Sequence, residues 1–184
     1  MAREPRIPYP LVRSDRKTIG IEIKRDGTVI VRAPYRMSAK AIERFVDEKA
    51  DWIEKTLQKV ASCPTLPPMT DEEKQALIER AKTVIPARVE EIAATMGIEY
   101  GRVTIRCQRT RWGSCSVKGN LNFNALLAGM PSGIMDYVIV HELCHRRQLN
   151  HSARFWALVA SVMPDYRERE RWLKDHGASL MSRW

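Results

Sequence analysis

His141-Glu142-Leu143-Cys144-His145 places two imidazoles and a carboxylate within five positions, and His151 follows six residues after the second imidazole. On a helix, residues four apart stand on one face, a turn above one another. His141 and His145 can therefore offer nitrogens to one metal ion, with Glu142 reaching a water held there from the side. With His151 the set becomes three nitrogen ligands and an open fourth position, the coordination of a catalytic zinc rather than a closed structural one. Taken alone, His151 has a lesser alternative as a helix-capping or surface histidine; the pair upstream favours ligation. Cys144 is left outside the shell, because ligands at 144 and 145 would point in different directions.

Three neutral imidazoles leave the ion's charge undiminished and bring a bound water to a pKa of about 7. Glu142 would take a proton from that water as it attacks a carbonyl, then pass it to a leaving amine. The chemistry expected is peptide-bond hydrolysis. Zn2+ is the expected cofactor, although Ni2+ or Co2+ suits the same ligands. A group that steadies the developing oxyanion is sought among Tyr166, His176 and Arg111.

The elements that must hold these residues follow from apolar spacing. Ile134 and Val138 share a helical stripe with His141 and His145, so the ligands continue an apolar face. Pro131 or Ser132 can open this helix, Asp136 suits its positive end, and Leu149-Asn150 offers a stop. A second helix from Ser152 carries Phe155, Val159 and Val162 on one face and ends at Pro164. Upstream, Val103–Cys107, Thr110–Cys115 and Leu121–Asn124 read as short strands, with Lys118-Gly119-Asn120 a turn. Thr70 and Glu73 form a capping box for a helix carrying Leu77, Ala81, Val84, Val89, Ile92 and Met96, which Pro86 should kink and Gly97 should end. Nearer the N-terminus, Ile19, Ile21 and Ile23 alternate before an Arg25-Asp26-Gly27-Thr28 turn and a return over Val29–Arg32. Ser38 then caps one helix with Ile42, Phe45, Val46, Trp52, Ile53, Leu57 and Val60 at helical spacing. Ser62–Pro68 is a stiff linker. The expected organisation is a hairpin-and-helix lobe over 1–62 and a catalytic core over 70–184.

With 184 residues and a net charge of +9, the chain can bury a sizeable core. No apolar run reaches the length of a membrane span, and Met1–Pro8 lacks the apolar core of a signal peptide. Cys63, Cys107, Cys115 and Cys144 are scattered, which suggests reduced thiols and a cytoplasmic setting. From Tyr100 to Met135 there is no acidic residue, while Arg102, Arg106, Arg109, Arg111 and Lys118 are basic. Such a surface can attract an acidic polypeptide or nucleic acid. A polypeptide is the expected substrate; a nucleic-acid-associated protein with a partly structural metal site is the alternative. The intact Glu142 favours the first, since a structural site gains nothing from it.

Arg111-Trp112-Gly113-Ser114-Cys115-Ser116, Gly119-Asn120-Leu121-Asn122-Phe123-Asn124, Asp136–His145, Asn150-His151-Ser152 with Phe155-Trp156, and Met163-Pro164-Asp165-Tyr166 resemble the YgjP-like metallopeptidases, also called SprT-like or domain-of-unknown-function-45 proteins. The hairpin and Lys49–Ile53 resemble the same family, so the likeness runs from about Val12 to His176. It implies an α+β fold with a zincin-like core, a small mixed sheet on the HExxH helix, zinc at His141, His145 and His151, and Glu142 as general base. The histidine spacing is shared with metzincins, but those carry glycine three residues after the second histidine; Gln148 stands there, which argues against them. In zincins an extended substrate commonly lies along an edge strand. Leu121–Asn124 or Thr110–Cys115 could serve, and Trp112 is either a substrate contact or core.

Overall fold

The computed structural model describes residues 8–24, 26–62 and 66–184. The first seven residues, Arg25 of the expected turn and Cys63-Pro64-Thr65 of the expected linker lie outside the described residues. Contacts divide the chain into two units, Met1–Pro64 and Thr65–Trp184. Among the described residues, no helix is long and apolar enough to cross a membrane.

The first unit is a three-stranded sheet with two helices. Strands β1 (Leu11–Ser14), β2 (Gly20–Ile23) and β3 (Val29–Pro34) lie in the order β1-β3-β2, with β3 parallel to β1 and antiparallel to β2. The β2–β3 hairpin forms as its residues dictate: Gly27 takes φ 81°, and Asp26 Oδ1 accepts from the Thr28 amide at 2.8 Å. β1 escapes the sequence reading because Leu11 and Val12 are both exposed and show no inside–outside alternation. The single helix expected after Ser38 is two, α1 (Ala39–Glu48) and α2 (Ala50–Ser62), broken at Lys49. No Gly or Pro marks the break; it lets both helices bury residues in one cluster, Ile42 and Val46 from α1 and Ala50 and Ile53 from α2. Trp52, expected on the apolar face, is exposed.

The second unit begins with α3 (Asp71–Met96), which has the Thr70/Glu73 capping box and ends at Gly97 in left-handed backbone. Pro86 lies inside it and does not end it. Strands β4 (Val103–Arg106), β5 (Gly113–Cys115) and β6 (Leu121–Asn124) follow in the order β4-β6-β5, with β4 parallel and β5 antiparallel to β6. The expected strand over 110–115 is shorter at its start, because 107–112 form a loop whose Gln108 and Arg111 carbonyls accept from Asn124. A buried 3-10 turn, Ala125–Gly129, leads to α4 (Ser132–Cys144), α5 (Ala153–Val162) and α6 (Tyr166–Met181).

α4 is a core helix rather than an amphipathic one: nine of its 13 residues are buried. It ends at Cys144, not at Leu149-Asn150, and no residue other than glycine has positive φ among the described residues. The stop is a tightened turn in which the amides of Arg146 and Arg147 bond Leu143 and Cys144 carbonyls three residues back, each at 3.0 Å. Asp136 pairs across to α3, accepting from Arg88 Nε at 2.8 Å and Nη2 at 2.9 Å. On α5, Phe155 and Val159 are buried as expected, but Val162 is exposed.

The Arg88–Asp136 pair joins α3 to the helix that carries the histidines, and it is two-pronged and partly buried. Replacing Asp136 by Ala should cost about 1–2 kcal/mol in urea unfolding. A change below about 0.5 kcal/mol, the size expected of an ordinary surface substitution, would show the pair to be idle.

Candidate metal centre

His141 stands in the last turn of α4, His145 caps its end, and His151 lies just before α5, whose first amides are capped by Ser152. Because α4 stops at Cys144, the chain turns back and brings His151 over the other two. One ring nitrogen from each histidine lies within 4.8 Å of the others. His141 Nε2 and His151 Nε2 approach to 2.9 Å; two nitrogens about 2.0–2.1 Å from one tetrahedral ion stand about 3.3 Å apart. His145 Nδ1 is 3.0 Å from the Gln148 carbonyl, which can only accept, so Nδ1 carries the proton and Nε2 keeps its lone pair for the cluster.

Aromatic rings hold the imidazoles. Phe155 stacks on His145 at 4.6 Å between centroids and meets His141 and His151 edge-on at 4.9 and 4.8 Å. Trp156 stands 5.8 Å from both His141 and His151. Burial, followed by the charges of His145 and His151, holds the His141 pKa down to about 3. Burial likewise lowers His145. His141 and His145 are therefore neutral donors, and with His151 they make a set suited to a divalent metal ion.

Glu142 is only 6% exposed. Burial pushes its carboxyl up to about 8, against a smaller downward pull from Arg111. Its side chain lies against Gly113 of β5, where an added Cβ would come 2.7 Å from both Glu142 Cγ and Oε1. Only glycine lets this strand pass so close. Sequence reasoning gave Gly113 no role; the available signal was a glycine inside the strand pattern of Thr110–Cys115.

The remaining candidates separate. Arg111 is exposed, and among the described residues its guanidinium has no hydrogen-bond or ion-pair partner, while its charge reaches Glu142. Tyr166 is buried, stacked on Trp156 at 5.4 Å, and its hydroxyl accepts from Arg167 Nε. His176 is engaged with Trp172, by ring stacking at 4.4 Å and by Nδ1 to its carbonyl. Trp112 packs against the core, with its ring close to Gly177. Cys144 is fully buried, and burial pushes its thiol up to about 11, so it offers no thiolate. β6 is the central strand and has no open edge; β5 is an edge strand and passes Glu142. Beside the cluster, Trp156, Ala157, Ala160, Tyr166, Arg167 and Glu170 line a cavity of about 750 Å³.

An α+β unit with a small mixed sheet against a helix bearing HExxH and a third histidine from the following turn is the arrangement of a metallopeptidase core. Residues 17–77 and 68–176 match the YgjP-like metallopeptidase domain, and the chain belongs to that family. No curated protein matches the sequence. Among solved structures, the metallopeptidase zymogen of Pyrococcus abyssi abylysin is 23% identical, with a TM-score of 0.45 over 50% of this chain and 93% of that one. The metallopeptidase zymogen of Methanocaldococcus jannaschii jannalysin is 23% identical, with a TM-score of 0.44 over 49% of this chain and 93% of that one.

The two buried groups pull metal-free stability in opposite directions with pH. Glu142 is raised from 4.5 to about 8, so the folded chain keeps a proton that the unfolded chain releases, and stability falls as pH rises through that window. His141 is lowered from 6.5 to about 3, so the unfolded chain binds a proton that the folded chain refuses, and stability falls as pH drops through that window. Between 4.5 and 6.5 the slopes cancel. Chelator-treated protein should therefore be most stable there, and Glu142→Gln should remove the decline on the alkaline side. The same alkaline decline in parent and variant would place its origin elsewhere.

Proposed function

We propose that the chain is a zinc-dependent peptidase in which His141, His145 and His151 hold the metal and Glu142 is the general base. The observation that carries this reading is the convergence of three imidazoles beside the buried carboxyl group of Glu142. Zinc bound there would polarise a substrate carbonyl and supply a water acidic enough to react near neutral pH.

The chain's own residues do the rest. Glu142 accepts a proton from the attacking water on a carboxylate oxygen and returns it to the amine nitrogen as the peptide bond breaks. Burial raises the Glu142 carboxyl to about 8, and a cation held at the histidines would favour its charged form. The free edge of β5 offers backbone groups to an extended peptide in line with Glu142. The cavity beside Trp156 receives a substrate side chain. The free thiols of Cys107, Cys115 and Cys144 suit a reducing compartment, and the protein's place of work is the cytoplasm.

Two variants test the division of labour, with metal content by mass spectrometry and hydrolysis of an unfolded protein as readouts. Glu142→Gln should keep the metal and lose at least about 10²-fold in rate, whereas His145→Ala should lose the metal. Metal loss from the first would make Glu142 a ligand; one tightly held zinc per chain in the second would break the ligand assignment. Gly113→Ala should force Glu142 aside and slow hydrolysis by about 10²-fold with metal retained. Full activity in that variant would show that the strand does not set the carboxylate's position.

A further inference from the structure

Asn124 ends β6 and is 1% exposed, yet every hydrogen-bonding group of its side chain is used. Nδ2 donates to the carbonyls of Gln108 at 2.7 Å and Arg111 at 3.0 Å. Oδ1 accepts from the Leu126 amide at 3.1 Å and from Trp184 Nε1 at 3.3 Å. Its backbone amide donates to the Trp112 carbonyl at 2.8 Å. A second tie runs from Arg109 Nη2 to the Trp184 carbonyl at 3.0 Å. The loop over 107–112 is therefore fixed from both sides, although it contains no regular structure. What that loop presents is Arg111: a fixed backbone, an exposed guanidinium with no partner among the described residues, and a place two residues before Gly113, against which the Glu142 side chain lies. An arginine kept for solubility needs no such anchoring.

We propose that Arg111 is a catalytic residue that donates N–H groups to the substrate's carbonyl oxygen as it becomes negative, and that Asn124 is the positioning residue that holds Arg111 there. The proposal rests on the peptidase reading above and deepens it. As the water oxygen bonds to the carbonyl carbon, the π pair moves onto the carbonyl oxygen, and the water's proton goes to Glu142. When the carbon–nitrogen bond breaks, that pair returns to the carbonyl and Glu142 gives its proton to the nitrogen. The guanidinium gains and loses nothing; it stabilises an oxygen that is more negative in the transition state than in the bound peptide, so it acts on kcat rather than KM.

The test measures kcat and KM of the zinc-loaded protein on a quenched fluorescent peptide mixture, with zinc content recorded for every variant. Arg111→Ala should lower kcat by about 10²–10³-fold with KM and zinc content nearly unchanged. Arg111→Lys should recover part of the loss, and guanidinium ions below denaturing concentration should restore part of the activity of Arg111→Ala. Asn124→Ala should lower kcat in the parent and have no further effect in Arg111→Ala. Trp184→Phe, which removes only the Nε1 donor, should show the same pattern more weakly and serves if Asn124→Ala does not fold. Effects of Asn124 or Trp184 that multiply with that of Arg111 would overturn the positioning role. An active parent matched by Arg111→Ala would overturn the proposal alone, and a zinc-loaded parent that cleaves no peptide would overturn the peptidase reading with it.

Discussion

Histidines four apart on a helix can share an ion with a third from the following segment only if the helix ends at once. Had α4 run on beyond Cys144, His151 would have been carried away along the axis at about 1.5 Å per residue. The tightened turn at Arg146 and Arg147 is therefore the constraint on which the site depends, and the unit is built to hold it. Arg146 Nε donates to the Glu99 carbonyl, and Arg147 Nη2 donates to the Met96 and Gly97 carbonyls at the end of α3. Those helix-end carbonyls need donors, and the guanidinium charge suits the negative end of α3. The end of α3 and the segment just after His145 are thus tied through two consecutive arginines.

Burial sets the chemistry of the site as well as its shape. Phe155 and the apolar faces of α4 keep His141 and His145 neutral, and this is the state in which an imidazole binds a metal. The same burial disfavours the Glu142 carboxylate, and the structure meets that cost with the cationic Arg111 on one side. Gly113 completes the arrangement by letting β5 lie against the carboxylate without a side chain between them. At neutral pH the metal-free chain accordingly keeps Glu142 mostly protonated.

The convergence of the three histidines was legible in the sequence because they are local: HExxH spacing, the histidine beyond it and the Ser152 cap all act within a few turns. The hairpin at Asp26-Gly27, the capping box at Thr70 and the stop at Gly97 were legible for the same reason. What the sequence concealed depends on partners far along the chain. The end of α4 at Cys144 is secured by carbonyls some fifty residues upstream, and the break at Lys49 follows from packing on β3 rather than from a helix breaker. Trp112 was ambiguous until its ring was seen in the core. Asn124 carried no signal in isolation, since a strand-end asparagine is commonplace and its meaning lies in the loop carbonyls and the Trp184 indole it joins.

On the reading proposed above, three imidazoles and no thiolate form the metal site. X-ray absorption on zinc-loaded protein reads this directly. Zinc at these residues should show nitrogen and oxygen neighbours at about 2.0–2.1 Å with the outer-ring scattering of three histidines and one light-atom position left for water. A sulfur scatterer near 2.3 Å, or imidazole scattering from fewer than three rings, would contradict it.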